Sequence, residues 1–313
     1  TRMSRETLVL YSRVDALPPW REAIETELPD VSVRPPEEIG PDDAVRYALV
    51  WKPPAGFFAD YPELKLVTNL GAGIDALAGR DDLPAIPIAR ISDPEMGRMM
   101  AQYVLFAALR YARDIPDFEA AKREGRWHYV HPRETREITV GVLGLGELGG
   151  MAAAELVRQG FDVRGWSRSP KVLPGIATSS GLDALPAFLA AAEILVVMLP
   201  LTAETHRLLD ADRLAQMRPG AKLINVARGQ IVDEAALVEA LRSGRLGGAT
   251  LDVFEREPLP AESPLWALPN VLVTPHLASV AIPASAGRQV AENIRRVRRG
   301  EAPLHVVDLA RGY

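Results

Sequence analysis

Three side chains of complementary chemistry follow three successive apolar runs late in the chain. Arg228 follows in Asn225-Val-Ala227-Arg228-Gly229, Glu257 in Leu251-Asp252-Val-Phe-Glu255-Arg-Glu257-Pro258, and His276 in Val273-Thr-Pro-His276. Short β-branched runs of this kind read as strands, and the C-terminal ends of parallel strands share one edge of a sheet. An arginine at that edge can grip a carboxylate and a neighbouring ketone oxygen together, polarising the carbonyl. A histidine can hand a proton to an oxygen on which negative charge develops. A carboxylate beside the imidazole orients it and favours its protonated form. Singly, an arginine after a strand is a surface cation and a histidine after proline a structural residue. Their recurrence at consecutive strand ends points to reduction of a carbonyl that lies beside a carboxylate.

Such a reduction needs a hydride donor, and the middle of the chain offers a place for one. An apolar run over 138–143 leads into Gly144-Leu-Gly146-Glu147-Leu148-Gly149, followed by an Ala-rich stretch that reads as a helix. Strand, glycine turn and helix are the context that the dinucleotide fingerprint requires. Gly144 permits the turn, Gly146 lets backbone approach a pyrophosphate, and Gly149 lets helix and strand pack closely. The phosphates then meet the N–H groups of the helix N-terminus. The next strand ends Trp166-Ser167-Arg168-Ser169-Pro170-Lys171. An NAD-selective site places an acidic residue here to accept from the ribose 2′-OH. Ser167 stands in that place, with Arg168 and Lys171 behind it, and a guanidinium matches a 2′-phosphate. NADP(H) is therefore the expected cofactor and NAD(H) the alternative; the bland reading of Arg168 is a solvated loop cation.

The elements that must hold these residues follow from the pattern of apolar runs. From 138 onward strands are expected at 140–143, 162–166, 194–198, 223–226, 249–252 and 272–274, six in all. Helices are expected at 148–159, 183–191, 210–217 and 233–243 between them. The first part alternates likewise, with strands at 8–11, 31–33, 48–51 and 66–69 and a helix at 20–28. Trp51 and the Gly71-Ala72-Gly73 loop lie just past two of those strands, where ligands bind in such sheets. A long apolar helix over 93–111 is expected to be buried between two layers, with Met96, Met99 and Met100 as core filling. A further helix spans 115–125, and Trp127-His-Tyr-Val-His-Pro132 reads as an exposed arm. A last helix at 283–299 returns to the N-terminal half. The fold class is α/β: two Rossmann-like or flavodoxin-like domains with doubly wound parallel sheets. The expected substrate domain is 1–92 with 280–313, and the inserted dinucleotide-binding domain is 93–279.

Composition narrows the function further. The chain has 313 residues, 36 Lys and Arg against 41 Asp and Glu, and a formal net charge of −5. That balance gives no footing for nucleic acid or a membrane surface. The absence of cysteine excludes thiol nucleophiles, disulfides and iron–sulfur clusters, and the five histidines lack zinc-site spacing, so no metal is expected. No apolar run reaches the ~18 residues of a membrane span, so a cytoplasmic protein is expected.

The chain resembles the D-isomer-specific 2-hydroxyacid dehydrogenases. The resemblance is carried by GVLGLGELG, Pro200-Leu-Thr-Ala-Glu-Thr205, NVARGQIVDE, LDVFEREPLP and TPHLAS. It is most similar to the A-type NADPH-dependent glyoxylate/hydroxypyruvate reductases, through Ala48-Leu-Val-Trp51-Lys-Pro-Pro, Leu70-Gly-Ala-Gly73-Ile-Asp75, Gly165-Trp-Ser-Arg-Ser169, Glu262-Ser-Pro-Leu-Trp266 and Ala310-Arg-Gly-Tyr313. The resemblance implies that Arg228 binds substrate, that His276 is the acid/base, and that Glu257 rather than Glu255 pairs with it. It also implies that the backbone of Leu70, Gly71, Ala72 and Gly73 cradles the substrate carboxylate, with Trp51 walling the pocket. Cofactor contacts are expected from Gly144, Gly146, Glu147, Leu148, Ser167, Arg168, Ser169, Lys171, Pro200, Thr205, Ala227, Asp252 and Ala278. The implied activity is NADPH-dependent reduction of glyoxylate or hydroxypyruvate by a homodimer, with the arm near Trp127 reaching its partner. The alternatives are a family dehydrogenase for another 2-hydroxy acid, or a dinucleotide-sensing corepressor or scaffold on the same fold.

Overall fold

The computed structural model describes residues 5–309, so the 310–313 stretch that entered the resemblance lies outside the described residues. Of these, residues up to Met96 form one compact unit with those from Val280 onward, and Gly97–Ser279 form a second.

In the first unit, β1 (Glu6–Tyr11), α1 (Leu17–Glu27), β2 (Val31–Arg34), β3 (Val45–Val50), β4 (Leu66–Asn69) and β5 (Ile88–Arg90) build a parallel sheet ordered β2-β1-β3-β4-β5. This is the flavodoxin-like order, whose reversal lies between β1 and β3. The strands read as unbroken apolar runs because both faces are covered. Leu8, Leu49 and Leu66 pack with Trp20 and Ile24 of α1 on one face, and Val9, Val50 and Val67 with Phe57, Phe58 and Leu77 on the other. β5 escaped the sequence reading because three residues after a proline are too few to show a pattern. β3 ends at Val50, one residue short of the expectation, and Trp51 opens the loop with its N–H donated to Tyr11 O at 2.8 Å.

α2 (Pro94–Ala112) starts where the Asp93 carboxylate accepts from the Glu95 N–H at 2.8 Å. The 93–111 helix is expected to lie buried between two layers, and its burial is uneven round the axis. Met100, Val104, Ala107, Ala108 and Tyr111 form a buried stripe, while Arg98, Gln102 and Phe106, four apart, lie on an open side. The helix is amphipathic; its high apolar content hid that spacing. Met96 and Met100 are buried, as core fillers are, and Met99 is half-buried. α3 (Ile115–Arg123) follows, and 126–134 has no regular structure; Trp127 there is 95% exposed.

The second unit continues with β6 (Thr139–Leu143), α4 (Glu147–Arg158), β7 (Asp162–Ser167), β8 (Ala177–Ser180), α5 (Leu185–Ala191) and β9 (Ile194–Val197). It is completed by α6 (Ala211–Gln216), β10 (Ala221–Asn225), α7 (Glu234–Arg242), β11 (Leu246–Leu251) and β12 (Val271–Val273). All strands are parallel, in the order β12-β11-β10-β9-β6-β7-β8. This is the doubly wound dinucleotide-binding order, with its switch point between β6 and β9. There are seven strands where six were expected. The extra one, β8, reads Ala-Thr-Ser-Ser at the sheet edge and has no apolar run to announce it. α8 (Pro283–Arg298) belongs to the first unit and packs on α1, so closely that a Cβ on Gly287 would lie 2.8 Å from that of Ala23. Among the described residues no helix is long and apolar enough to cross a membrane.

Candidate active site

The turn between β6 and α4 meets the requirements of a pyrophosphate cradle, and its three glycines meet them differently. Gly144 has φ +111°, and a Cβ there would lie 2.7 Å from the Met198 backbone. A Cβ on Gly149 would lie 2.0 Å from Gly144 O, so the first turn of α4 rests directly on the loop. Around Gly146 there is nothing within 4 Å of such an atom. Gly146 is also the N-cap of α4, without a side-chain cap, and the next N–H groups head the helix. An open space before a helix N-terminus at the switch point fits a dinucleotide's phosphates.

The residues expected near the adenosine end gather around that turn. Ser167 ends β7, buried, with its hydroxyl donated to Ser169 O at 2.7 Å. Lys171 reaches back to the glycine loop and donates to Leu145 O at 2.6 Å. Arg168 is exposed and lies 3.4 Å from Glu204, a carboxylate the sequence reading did not single out. Thr205 knits the 200–205 loop, donating to Pro200 O at 2.6 Å and accepting from Thr202 N–H at 2.8 Å.

At the other end of the same edge, β10, β11 and β12 are neighbours, and their following loops carry the reactive set. Asn225 closes β10 and shapes the next turn: its amide donates to Arg228 O at 3.0 Å and its oxygen accepts from Ala227 N–H at 3.1 Å. Arg228 is half-buried and donates to Ala227 O at 2.8 Å. Gly229 lies against the loop after β11: a Cβ there would fall 1.8 Å from the Phe254 carbonyl carbon. That loop carries Glu257, so the Arg228 and Glu257 segments are in backbone contact. Glu257 Oε1 accepts from Phe254 N–H at 3.2 Å, and Oε2 lies 2.8 Å from His276 Nδ1. Glu255 points elsewhere, toward Arg207 at 3.6 Å and the Glu234 N–H at 3.3 Å. An acceptor-only carboxylate on Nδ1 fixes a proton there and leaves Nε2 to hold or release another. His276 itself has φ +56°, a left-handed backbone uncommon for non-glycine residues.

Ala278 belongs to the turn that carries His276, and Asp252, just past β11, is the acceptor on which that turn closes. The Asp252 carboxylate is buried and accepts from Thr274 Oγ1 at 2.6 Å, Leu277 N–H at 2.9 Å and Ala278 N–H at 2.9 Å.

The first unit holds the remaining expected residues at the C-terminal ends of β3 and β4. The Trp51 ring lies on Gly71, where an added Cβ would sit 2.7 Å from it. Asn69 donates through its amide to Gly71 O at 3.0 Å and Gly73 O at 2.8 Å, and Arg90 donates to Ala72 O at 3.2 Å. Leu70 is buried, and its N–H is donated to Val50 O at 2.8 Å. Asn69 and Arg90 went unnoticed in the sequence; a polar residue at each strand end was the only signal. Among the described residues no cluster of three His, Asp or Glu side chains could hold a metal ion.

Residues 105–278 match the family model described as D-isomer specific 2-hydroxyacid dehydrogenase, NAD binding domain. The chain is 39% identical over 300 residues to glyoxylate/hydroxypyruvate reductase A of Serratia proteamaculans, covering 94% of this chain and 96% of that protein. Among solved structures it is similar to a D-isomer specific 2-hydroxyacid dehydrogenase from Xanthobacter autotrophicus Py2 in complex with NADPH and MES. The identity is 62% and the TM-score 0.94, with 98% of this chain and 99% of that one covered. It is also similar to the NADPH-dependent glyoxylate/hydroxypyruvate reductase of Sinorhizobium meliloti in complex with NADP and sulfate. There the identity is 35% and the TM-score 0.92, with coverage of 98% and 100%.

Proposed function

Since the chain belongs to the D-isomer specific 2-hydroxyacid dehydrogenase family of enzymes, we propose that it reduces small 2-oxo acids with NADPH, glyoxylate to glycolate and hydroxypyruvate to D-glycerate. The observation that carries the proposal is the 2.8 Å His276–Glu257 pair on the loops beside Arg228, at the rim of a dinucleotide-type sheet. When bound, the reduced nicotinamide supplies hydride to the substrate's C2. Arg228 is assigned to the substrate carboxylate and keto oxygen, drawing electron density from C2 as a bidentate guanidinium can. His276 Nε2 gives its proton to the oxygen that becomes the hydroxyl, and Glu257 holds the Nδ1 proton throughout. The backbone of Leu70, Gly71, Ala72 and Gly73 and the Trp51 ring are assigned to the substrate's carboxylate and body.

The 2′-phosphate is assigned to Arg168, Ser167, Ser169 and Lys171; the NADPH and NADP bound to the two similar structures support this choice over NAD(H). The pyrophosphate goes to Gly144, Gly146, Glu147 and Leu148, and the rest of the dinucleotide to Pro200, Thr205, Ala227, Asp252 and Ala278. The reading takes the working species as a homodimer, for which the exposed Trp127 arm is a fitting contact. The test is NADPH consumption against glyoxylate, hydroxypyruvate, pyruvate and bulkier 2-oxo acids. His276→Ala is expected to lose about 10²–10⁴-fold in kcat while still binding NADPH. Near-normal turnover in that variant would falsify the acid/base role.

A further inference from the structure

We infer that Tyr103 and Thr274, both half-buried, are positioning residues, forming with the buried Asp252 a strut that sets the turn presenting His276; the inference rests on the proposed role of that histidine. The chain of contacts has a direction. Thr274 Oγ1 lies 2.6 Å from Asp252 Oδ1 and 2.5 Å from Tyr103 Oη. A carboxylate only accepts, so the single hydroxyl proton of Thr274 is spent on Asp252. The Tyr103 hydroxyl must then donate to a Thr274 lone pair. Burial pushes the Tyr103 phenol up to about 12, the Thr274 hydrogen bond opposes that and the Asp252 charge adds to it, so the donor keeps its proton throughout the working pH range.

The strut acts on the backbone of residue 276 from both sides. Asp252 takes the Thr274 hydroxyl on one flank and the Leu277 and Ala278 N–H groups on the other. Between them the His276 N–H is donated to Asp252 O at 2.8 Å and to Thr274 O at 3.1 Å. The left-handed φ of His276 is unfavourable for a non-glycine residue and persists only where its surroundings enforce it. Glu257 orients the ring through Nδ1. The height and tilt at which Nε2 is offered are therefore set by the turn, and the turn is set by Asp252. Tyr103, on α2 and 171 residues away in sequence, ties Thr274, and through it that carboxylate, to the helix.

The test compares Thr274→Val, Thr274→Ser and Tyr103→Phe in the full-length enzyme, with the best 2-oxo acid of the panel and NADPH. Thr274→Val keeps the shape and removes both hydrogen bonds. Its kcat is expected to fall about tenfold or more, as misplacement of a catalytic group does, with KM and the NADPH Kd within about twofold. The solvent deuterium isotope effect on kcat should rise, because proton delivery becomes slower relative to the other steps. A merely structural role would lower the melting temperature and leave that isotope effect unchanged. Thr274→Ser should restore both kcat and isotope effect, and Tyr103→Phe should lower kcat by about threefold and raise the isotope effect. Thr274→Val and Tyr103→Phe enzymes within twofold of wild type, or Thr274→Ser as slow as Thr274→Val, would overturn the strut. If Thr274→Val does not fold, the Tyr103→Phe and Thr274→Ser pair decides alone. Wild-type protein inactive towards every acid of the panel would overturn the reading of His276 and the strut's role with it, a result distinct from active wild type with indifferent variants.

Discussion

One methyl group, added at either of two glycines three residues apart, should do opposite things. At Gly146 the backbone is extended, φ −69° and ψ −165°, a conformation any residue adopts, and the added carbon meets nothing within 4 Å. Gly146→Ala should therefore cost the apo protein under about 1 kcal/mol, the scale of changing an uncharged N-cap. If the open space is where phosphate oxygens approach the backbone, the same methyl holds them off. Losing one charge-assisted hydrogen bond costs roughly 1.5–3 kcal/mol, a rise in NADPH Kd of about 10–100-fold. At Gly149 the carbon would lie 2.0 Å from Gly144 O, more than 1 Å inside ordinary contact, and the obstacle is backbone rather than a rotatable side chain. Overpacking of this sort costs about 1–3 kcal/mol or more, which in a domain of this size lowers Tm by about 2–4 °C per kcal/mol. The assays are a thermal melt without cofactor and a titration of NADPH fluorescence. A Gly146→Ala protein that binds NADPH within twofold of wild type would refute the assignment of that space. So would a Gly149→Ala protein that melts within 1 °C of wild type refute the packing argument.

Three other perturbations test separate parts of the site and the fold. Arg228→Ala should raise KM for the 2-oxo acid and lower kcat together, and Arg228→Lys should recover little of either, because a point charge cannot replace a fork on two oxygens. Steady-state kinetics at saturating NADPH decides it; a lysine variant near wild type would remove the bidentate role. Arg168→Ala should lower kcat/KM for NADPH about tenfold or more and leave the NADH value within about twofold, since only one of the two dinucleotides carries the 2′-phosphate. An equal loss with both would assign Arg168 to structure. At the opposite edge of the second sheet, burial raises the Glu193 carboxyl, but the hydrogen bond from Arg133 (2.9 Å), the Thr139 N–H and the charges of Arg133 and Arg218 outweigh it, and it titrates below its usual range. A carboxyl depressed in the folded state adds stability above its unfolded value, near 4.3, and loses it as pH falls through the folded one. Glu193→Gln should thus melt lower than wild type at pH 7, with the gap closing below about pH 4; a gap that is constant with pH would contradict the linkage.

How much of this was legible in the sequence depends on whether the signal is local. The glycine turn was legible because strand, Gly144, Gly146, Gly149 and helix are contiguous, and each glycine has a separate steric reason to be there. Most strands were legible because burial on both faces writes them as apolar runs. β8 was not, being polar and at the edge, and the amphipathic character of α2 was masked by its alanines and methionines. Glu255 and Glu257 follow the same strand two residues apart, and spacing alone has no preference between them. The choice depends on how the loop folds back so that Phe254 N–H meets Glu257 Oε1, which turns the other oxygen to the imidazole. Asn69, Asn225 and Glu204 were illegible for a related reason: each is an ordinary polar residue until the loop it shapes or the cation it meets is in place.

The dependence on polarity, rather than on charge or size, is sharpest at Asp252. Three donors converge on its carboxylate, one hydroxyl and two N–H groups, and among them they occupy both oxygens. An asparagine would fit the same volume yet bring an NH₂ group, which on either side would face a donor and leave buried hydrogen bonds unmade. A serine at 274 keeps the hydroxyl that a valine of nearly threonine's shape removes. Shape alone would therefore rank valine the better substitute, while the hydrogen-bond pattern ranks serine the better. The second ranking follows from geometry, because the left-handed backbone at His276 lies between the anchored hydroxyl at 274 and the anchored N–H groups at 277 and 278. A proton donor has to be placed to a fraction of an ångström. A turn with three donors, the Thr274 hydroxyl and the Leu277 and Ala278 N–H groups, closed on one buried carboxylate supplies that rigidity.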